Sequence, residues 1–174
     1  MTSVAISDAG VVVSDNPHAT LAGVLMLSRG GNAFDACVAA SAVLGVVLPF
    51  TSGLGGDAFM LAKTPGGVHV LMSSGAYPSG VDEKLISEMQ RRGVPEKGPQ
   101  AITIPGLAAA WMELEARFCT VRRRELLSYA ISLAENGFKA SSMLARAVSY
   151  AKRRLEGSGW YSLYGSVSEG DTVR

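Results

Sequence analysis

The chain has 174 residues, 48% of them hydrophobic and 18% charged, with a formal net charge of +1. Those proportions exclude an intrinsically disordered chain and give no electrostatic reason to expect nucleic acid or an anionic membrane as a partner. Two cysteines, Cys37 and Cys119, exclude a disulfide framework.

Val4-Ala5-Ile6 and Val11-Val12-Val13 flank Asp8-Ala9-Gly10, which predicts a short hairpin. Asp15-Asn16-Pro17 then opens a helix, with a capping side chain ahead of a first-turn proline. Leu21, Val24, Leu25 and Leu27 give it an apolar stripe, and Gly30-Gly31 ends it. Asn32 caps the next helix, predicted over 33–47, with Asp35 near the positive end of its dipole. Ala33, Ala36, Cys37, Ala39, Ala40, Ser41, Ala42 and Gly45 make this a small-residue helix with few polar positions, so burial on nearly every side is expected. Cys37 is read there as a small hydrophobe. Pro49 lacks a backbone donor and biases Leu48 away from helix, so the helix stops before it.

Gly53-Leu54-Gly55-Gly56 precedes a strand, and its glycines are expected to pack backbone closely or to present bare N–H groups. Phe59–Lys63 and Val68–Met72 read as two strands joined by Thr64-Pro65-Gly66-Gly67, with Gly66 accepting positive φ. Ser73 to Pro78 is a loop, Val81 to Arg92 an amphipathic surface helix, and Ala101 to Ile104 a strand or extended piece. Helices are predicted over Leu107–Phe118, over Arg122–Glu135 and from a Ser141 or Ser142 cap to Leu155, before a polar tail. In that tail Trp160, Tyr161, Leu163 and Tyr164 call for a partner surface. The element order fits a mixed α/β layer (an α+β arrangement) better than alternating βαβ units.

Chemistry-bearing motifs are few. The glycine cluster follows a helix and precedes a strand, and no Lys-Ser/Thr pair follows it, so it is not a phosphate loop. Ser52 lacks the G-x-S-x-G setting of a nucleophile elbow. His18 and His69 lie in different elements, and no metal-ligand spacing or cofactor motif occurs. Thr2 could act as an N-terminal nucleophile only if Met1 were removed. Arg122-Arg123-Arg124 reads as a solvated helix start. No leader with a basic start and a long apolar segment precedes Gly10, and the Ala36–Phe50 run is too short to span a membrane, so a cytoplasmic location is the default expectation.

Taken together, Gly30-Gly31-Asn32-Ala33-Phe34-Asp35-Ala36, Leu48-Pro49 and Gly53-Leu54-Gly55-Gly56-Asp57-Ala58-Phe59 resemble the gamma-glutamyltranspeptidase family. Three later pieces agree in order: Ala101-Ile102-Thr103-Ile104-Pro105-Gly106, Ala130 to Phe138, and Glu169-Gly170-Asp171. The resemblance implies part of an Ntn-hydrolase αββα sandwich, with helices packed on a mostly antiparallel sheet. It implies residues 1–174 as a single domain, the N-terminal portion of a large subunit. In that family a precursor cleaves itself, and the threonine freed at the head of the small subunit attacks a gamma-glutamyl amide, as in glutathione, with its own amine as base. The implied partners are the remainder of the large subunit, the threonine-led small subunit and a small peptide or amide substrate. No catalytic residue, metal or cofactor is assigned to this chain.

One departure bears on substrate. Family members carry an arginine after the second hairpin strand, in a pattern like Asp-Gly-Arg-Glu-x-Ala-Pro, where it can grip an α-carboxylate bidentately. The aligned residues here are Met72-Ser73-Ser74-Gly75-Ala76-Tyr77-Pro78, with Ser74 in the arginine's place. Ser73, Ser74 and Gly75 are therefore the substrate-binding candidates. A serine hydroxyl cannot replace that charge, which leaves three expectations: a gamma-glutamyltransferase-like amidohydrolase, an acylase of the same fold acting on a non-glutamyl amide, or a catalytically silent binding scaffold.

Overall fold

The computed structural model describes residues 4–76, 79–95 and 98–174. Its residues cluster into a helical unit, Met1–Gly53 with Leu114–Arg174, and a hairpin unit, Leu54–Glu113.

In the helical unit, Asn16 caps α1 (Pro17–Ser28), its side chain accepting from His18 N at 2.9 Å. Gly30, at φ +87°, ends that helix, and Gly31 N donates to Met26 O at 2.9 Å. This left-handed position is one that glycine takes without a Cβ clash. α2 (Ala33–Val47) has the predicted bounds. Asn32 Oδ1 accepts from Phe34 N and Asp35 N, while Asp35 Oδ2 accepts from Asn32 N at 2.7 Å, a reciprocal capping box. α1 packs along α2, and a Cβ on Gly23 would lie 3.3 Å from Ala36 O, so the small residues do let the backbones approach. Ala36, Val38, Ala39, Ala42, Val43 and Val47 are buried.

Two expectations about this region are corrected. Residues 4–14 form no strand. Ser7 Oγ instead accepts from Ala9 N and Gly10 N, closing a local turn. Val12 is drawn against Gly23, leaving Val4, Ile6 and Val13 in solvent. Alternation alone did not supply a ladder partner. Nor is α2 closed on every side: Ala33 and Cys37 are exposed, so Cys37 sits on an open flank rather than in the core.

Asp35 ties α2 to the 118–121 turn. It is fully buried. Its Oδ1 accepts from Thr120 N and Val121 N at 3.0 Å each, and its Oδ2 accepts from Thr120 Oγ1 at 2.7 Å. Asn32 Nδ2 donates to Phe118 O at 2.7 Å, and Phe34 stacks on Phe118 with centroids 4.4 Å apart. Burial pushes the Asp35 carboxyl upward, but the hydrogen bonds from Asn32, Thr120 and Val121 outweigh it and hold the group below its usual value.

The helix predicted over 122–135 is two: α5 is Arg123–Leu126 and α6 is Ser128–Asn136. They meet at Leu127, which stays right-handed but at φ −90°, ψ −8°, and Ser128 Oγ donates back to Glu125 O at 2.7 Å. α7 (Ser142–Ala151) is capped by Ser141 and stops short of Leu155. The expected polar tail carries α8 (Gly159–Tyr164), where Trp160 and Tyr164 pack on each other at 5.2 Å.

In the hairpin unit, β1 (Ala58–Thr64) pairs antiparallel with β2 (Gly67–Ser73), from Ala58↔Ser73 to Thr64↔Gly67. Positive φ falls on Gly67 at +133°, not on Gly66, because the loop is only Pro65-Gly66 and Gly67 already belongs to the ladder. α3 (Glu83–Arg92) is capped by Asp82, and the first turns of α4 (Leu107–Arg117), up to Glu113, belong to this unit. In the helical unit a second sheet, β3 (Phe138–Lys139) with β4 (Thr172–Val173), ties the last residues back to the end of α6.

Candidate functional site

β2 delivers the three candidate residues at its C-terminal end. Ser73 Oγ donates to Gly106 O at 2.8 Å, so its hydroxyl is committed to holding the backbone. A Cβ on Gly75 would come within 1.7 Å of Ile104 O, and one on Gly106 within 1.9 Å of Ser73 O. The segment 73–75 and the segment 104–106 are therefore in direct backbone contact at two glycines. Ser74 stands between them, exposed.

The 104–106 segment is itself anchored. Gly106 N and Leu107 N both donate to Gly56 O, at 3.0 and 2.9 Å, and Thr103 Oγ1 donates to Asp57 Oδ1 at 2.7 Å. The Gly53–Gly56 cluster thus contributes the Gly56 carbonyl to this anchor. Gly53 and Gly55 both have open space where a Cβ would go, while a Cβ on Gly45 would meet Gly53 Cα at an ordinary 3.7 Å. Thr103, Gly106, Gly56 and Asp57 all belong to the family-like motifs, but their task shows only in these contacts. Ile104-Pro105-Gly106 was the available signal, since Gly106 adjoins the Ser73 backbone. The segment 73–76 carries no charge, and the ionisable group on its anchor is Asp57, an acid. Such a surface suits neutral hydrogen-bonding groups rather than a carboxylate.

The two histidines and the Cys119 thiol have settings of their own. His18 Nδ1 lies 2.7 Å from Tyr129 Oη, and His69 Nε2 lies 3.0 Å from Thr64 Oγ1 at the turn end of the hairpin. Burial, reinforced by the Asp35 carboxylate, pushes the Cys119 thiol up to about 12, so it is no thiolate nucleophile at neutral pH. Thr2, Tyr77 and Pro78 lie outside the described residues. Among the described residues no group of three or more His, Cys, Asp or Glu could hold a metal, and no helix is long and apolar enough to cross a membrane.

The family profile described as gamma-glutamyltranspeptidase matches residues 19–174. The chain belongs to the gamma-glutamyltranspeptidase family. It is 36% identical to the glutathione hydrolase-like YwrD proenzyme of Bacillus subtilis over 133 residues, 76% of this chain and 25% of that protein. It is 35% identical to the oxamate amidohydrolase proenzyme of Klebsiella pneumoniae over 156 residues, 84% of this chain and 29% of that protein. Helicobacter pylori gamma-glutamyltranspeptidase superposes with a TM-score of 0.84 at 26% identity, covering 98% of this chain and 52% of that one. The mixture of helices and antiparallel strands is that of the Ntn-hydrolase sandwich. The chain spans between a quarter and a third of the length of the two proenzymes it matches.

Proposed function

We propose that this chain is the N-terminal portion of the large subunit of an amide-cleaving member of the gamma-glutamyltranspeptidase family. The observation that carries this reading is a profile match running from residue 19 to 174 alongside proenzymes several times longer. The nucleophile then comes from another stretch of polypeptide, a threonine that heads a small subunit. Its hydroxyl oxygen bonds to the amide carbonyl carbon and its own amine takes the hydroxyl proton. The C–N bond breaks, the leaving amine departs with a proton, and the acyl group passes to water or to an amino acid. In this scheme the present chain supplies the scaffold and the Ser73-Ser74-Gly75 edge of the substrate site, in a cytoplasmic protein.

Two measurements test it. The 174-residue chain alone is expected to show no cleavage of a gamma-glutamyl anilide, and cleavage to appear when the remainder of the large subunit and a threonine-led small subunit complete it. Turnover by this chain alone refutes the assignment.

A second reading is favoured by one observation: a neutral Ser74 on an anchor whose charge is acidic. The substrate is then an amide without an α-amino acid head. Ser74→Arg in the completed enzyme is expected to tighten gamma-glutamyl substrate binding by about tenfold or more, since a charge-assisted hydrogen bond contributes roughly 1.5–3 kcal/mol. An unchanged KM would show that Ser74 does not occupy the carboxylate-binding position.

A further inference from the structure

A hollow of about 230 Å³ opens in the helical unit, where the second half of α1 and the paired helices α5 and α6 meet over α2. Its floor is formed by Ala22, Met26, Ala39 and Leu126, all buried and all apolar. Two of the four are alanines, too short to fill the space where the helices meet. Pockets for drug-sized ligands run from about 300 to 1,000 Å³, so this one suits a smaller molecule. At its rim Arg29, just past the end of α1, faces Glu125 of α5. Arg29 Nη1 and Glu125 Oε1 are 3.6 Å apart, and both side chains are half-exposed. That spacing is longer than a hydrogen bond and lacks the bidentate fork of a well-matched guanidinium and carboxylate. An exposed pair of this kind does little for stability. The neighbouring hydroxyls are engaged elsewhere: Ser128 Oγ donates to Glu125 O at 2.7 Å, and Tyr129 Oη lies 2.7 Å from His18 Nδ1.

We infer that this hollow binds a free apolar α-amino acid, with the ligand's carboxylate on Arg29, its ammonium on Glu125 and its side chain on the alanine-lined floor. The rim charges decide the class. A simple anion would gain Arg29 but meet Glu125, and a simple cation would gain Glu125 but meet Arg29. A zwitterion satisfies both. An α-amino acid carries its two charged groups on one carbon, so they lie as close together as the two rim charges do. Its carboxylate can take the paired guanidinium N–H donors, and its ammonium can donate to a Glu125 oxygen. The floor then selects the side chain. Apolar area placed there leaves water, whereas a polar side chain would be buried against Ala22, Met26, Ala39 and Leu126 with no partner. The site uses α1, α2, α5 and α6 alone. Ser73, Ser74 and Gly75 take no part in it, so the inference stands independently of the proposed amide cleavage.

The test titrates the 174-residue chain with L-leucine and follows backbone amide chemical shifts. Saturable binding with a Kd of about 1 mM or tighter is expected, with the shifts centred on residues 22–29 and 125–132. Glycine lacks the apolar side chain, isocaproate the ammonium and isoamylamine the carboxylate. Each is expected to bind weaker than leucine by about tenfold or more. Arg29→Gln and Glu125→Gln should each leave thermal unfolding unchanged, because the pair is exposed, and each should weaken leucine binding by about tenfold or more. Absence of saturable binding, shifts centred elsewhere, or undiminished leucine affinity in either variant overturns the proposal. So does glycine, isocaproate or isoamylamine binding as tightly as leucine, because the floor or one of the two charges is then idle. If the variants fail to fold, the ligand series on the unaltered chain decides alone. Amide cleavage is scored separately: failure of leucine to bind leaves the hydrolase reading untouched, and failure of cleavage leaves the amino acid site standing.

Discussion

Asp35→Asn is expected to lower the unfolding free energy by about 3 kcal/mol, although the side chain keeps its shape. Carboxylate Oδ1 accepts two backbone N–H groups, and Oδ2 accepts the Asn32 N–H and the Thr120 hydroxyl. An asparagine can place one carbonyl oxygen against the Thr120 and Val121 amides. Its NH2 group then points at the Asn32 N–H, donor against donor, in a site without solvent. Leaving buried donors unmet costs roughly 1–3 kcal/mol, and more for partners of a charged group. Urea unfolding of the two proteins at pH 7 measures the difference, and a loss below about 1 kcal/mol would contradict this account of the 118–121 turn. The pH dependence carries a second signature. The folded carboxyl titrates below the ordinary value of 3.8. Its contribution is therefore complete above that value and disappears as pH falls through the lower, folded value. The unaltered chain should lose stability steeply in that acidic window, and the asparagine variant should be flatter there.

Gly75→Ala and Gly106→Ala are expected to damage the hairpin unit by a different route. Neither glycine has a positive φ, so backbone strain is not the issue. The added methyl would sit 1.7 Å from Ile104 O in one case and 1.9 Å from Ser73 O in the other. Each obstacle is main chain, which cannot rotate away as a side-chain tip can. Overpacking of this kind costs about 1–3 kcal/mol or more, and here it also pries the Ser73 segment from its support and breaks the 2.8 Å bond to Gly106 O. Gly55→Ala is the matched control, because open space surrounds that position and its φ is not positive. It should be neutral or slightly stabilising. Thermal unfolding compares the three, and equal midpoints for Gly55→Ala and Gly75→Ala would rule out the close approach.

What the sequence made legible was local. α2 was predicted with its full bounds because its signals, Asn32 and Asp35 at the start and Pro49 past the end, lie within the helix or beside it. The hairpin of β1 and β2 was readable for the same reason. The β3–β4 pairing was not, because two-residue strands joining Lys139 to Thr172 leave no periodic trace. The Leu127 break was hidden by an apolar pattern that runs through it undisturbed. The family motifs located Asp35 and Gly106 correctly but were silent on their work, which depends on partners at Thr120 and Ser73, far away in the chain.

The double acceptor at Gly56 has a consequence for charge development during a reaction. The amides of Gly106 and Leu107, at the head of α4, are consumed by one carbonyl. A helix start that would ordinarily greet a negatively charged oxygen with free donors is in this way partly neutralised beside the candidate loop. Two of the donors at that helix start are thus committed to holding the 104–106 segment against Gly56.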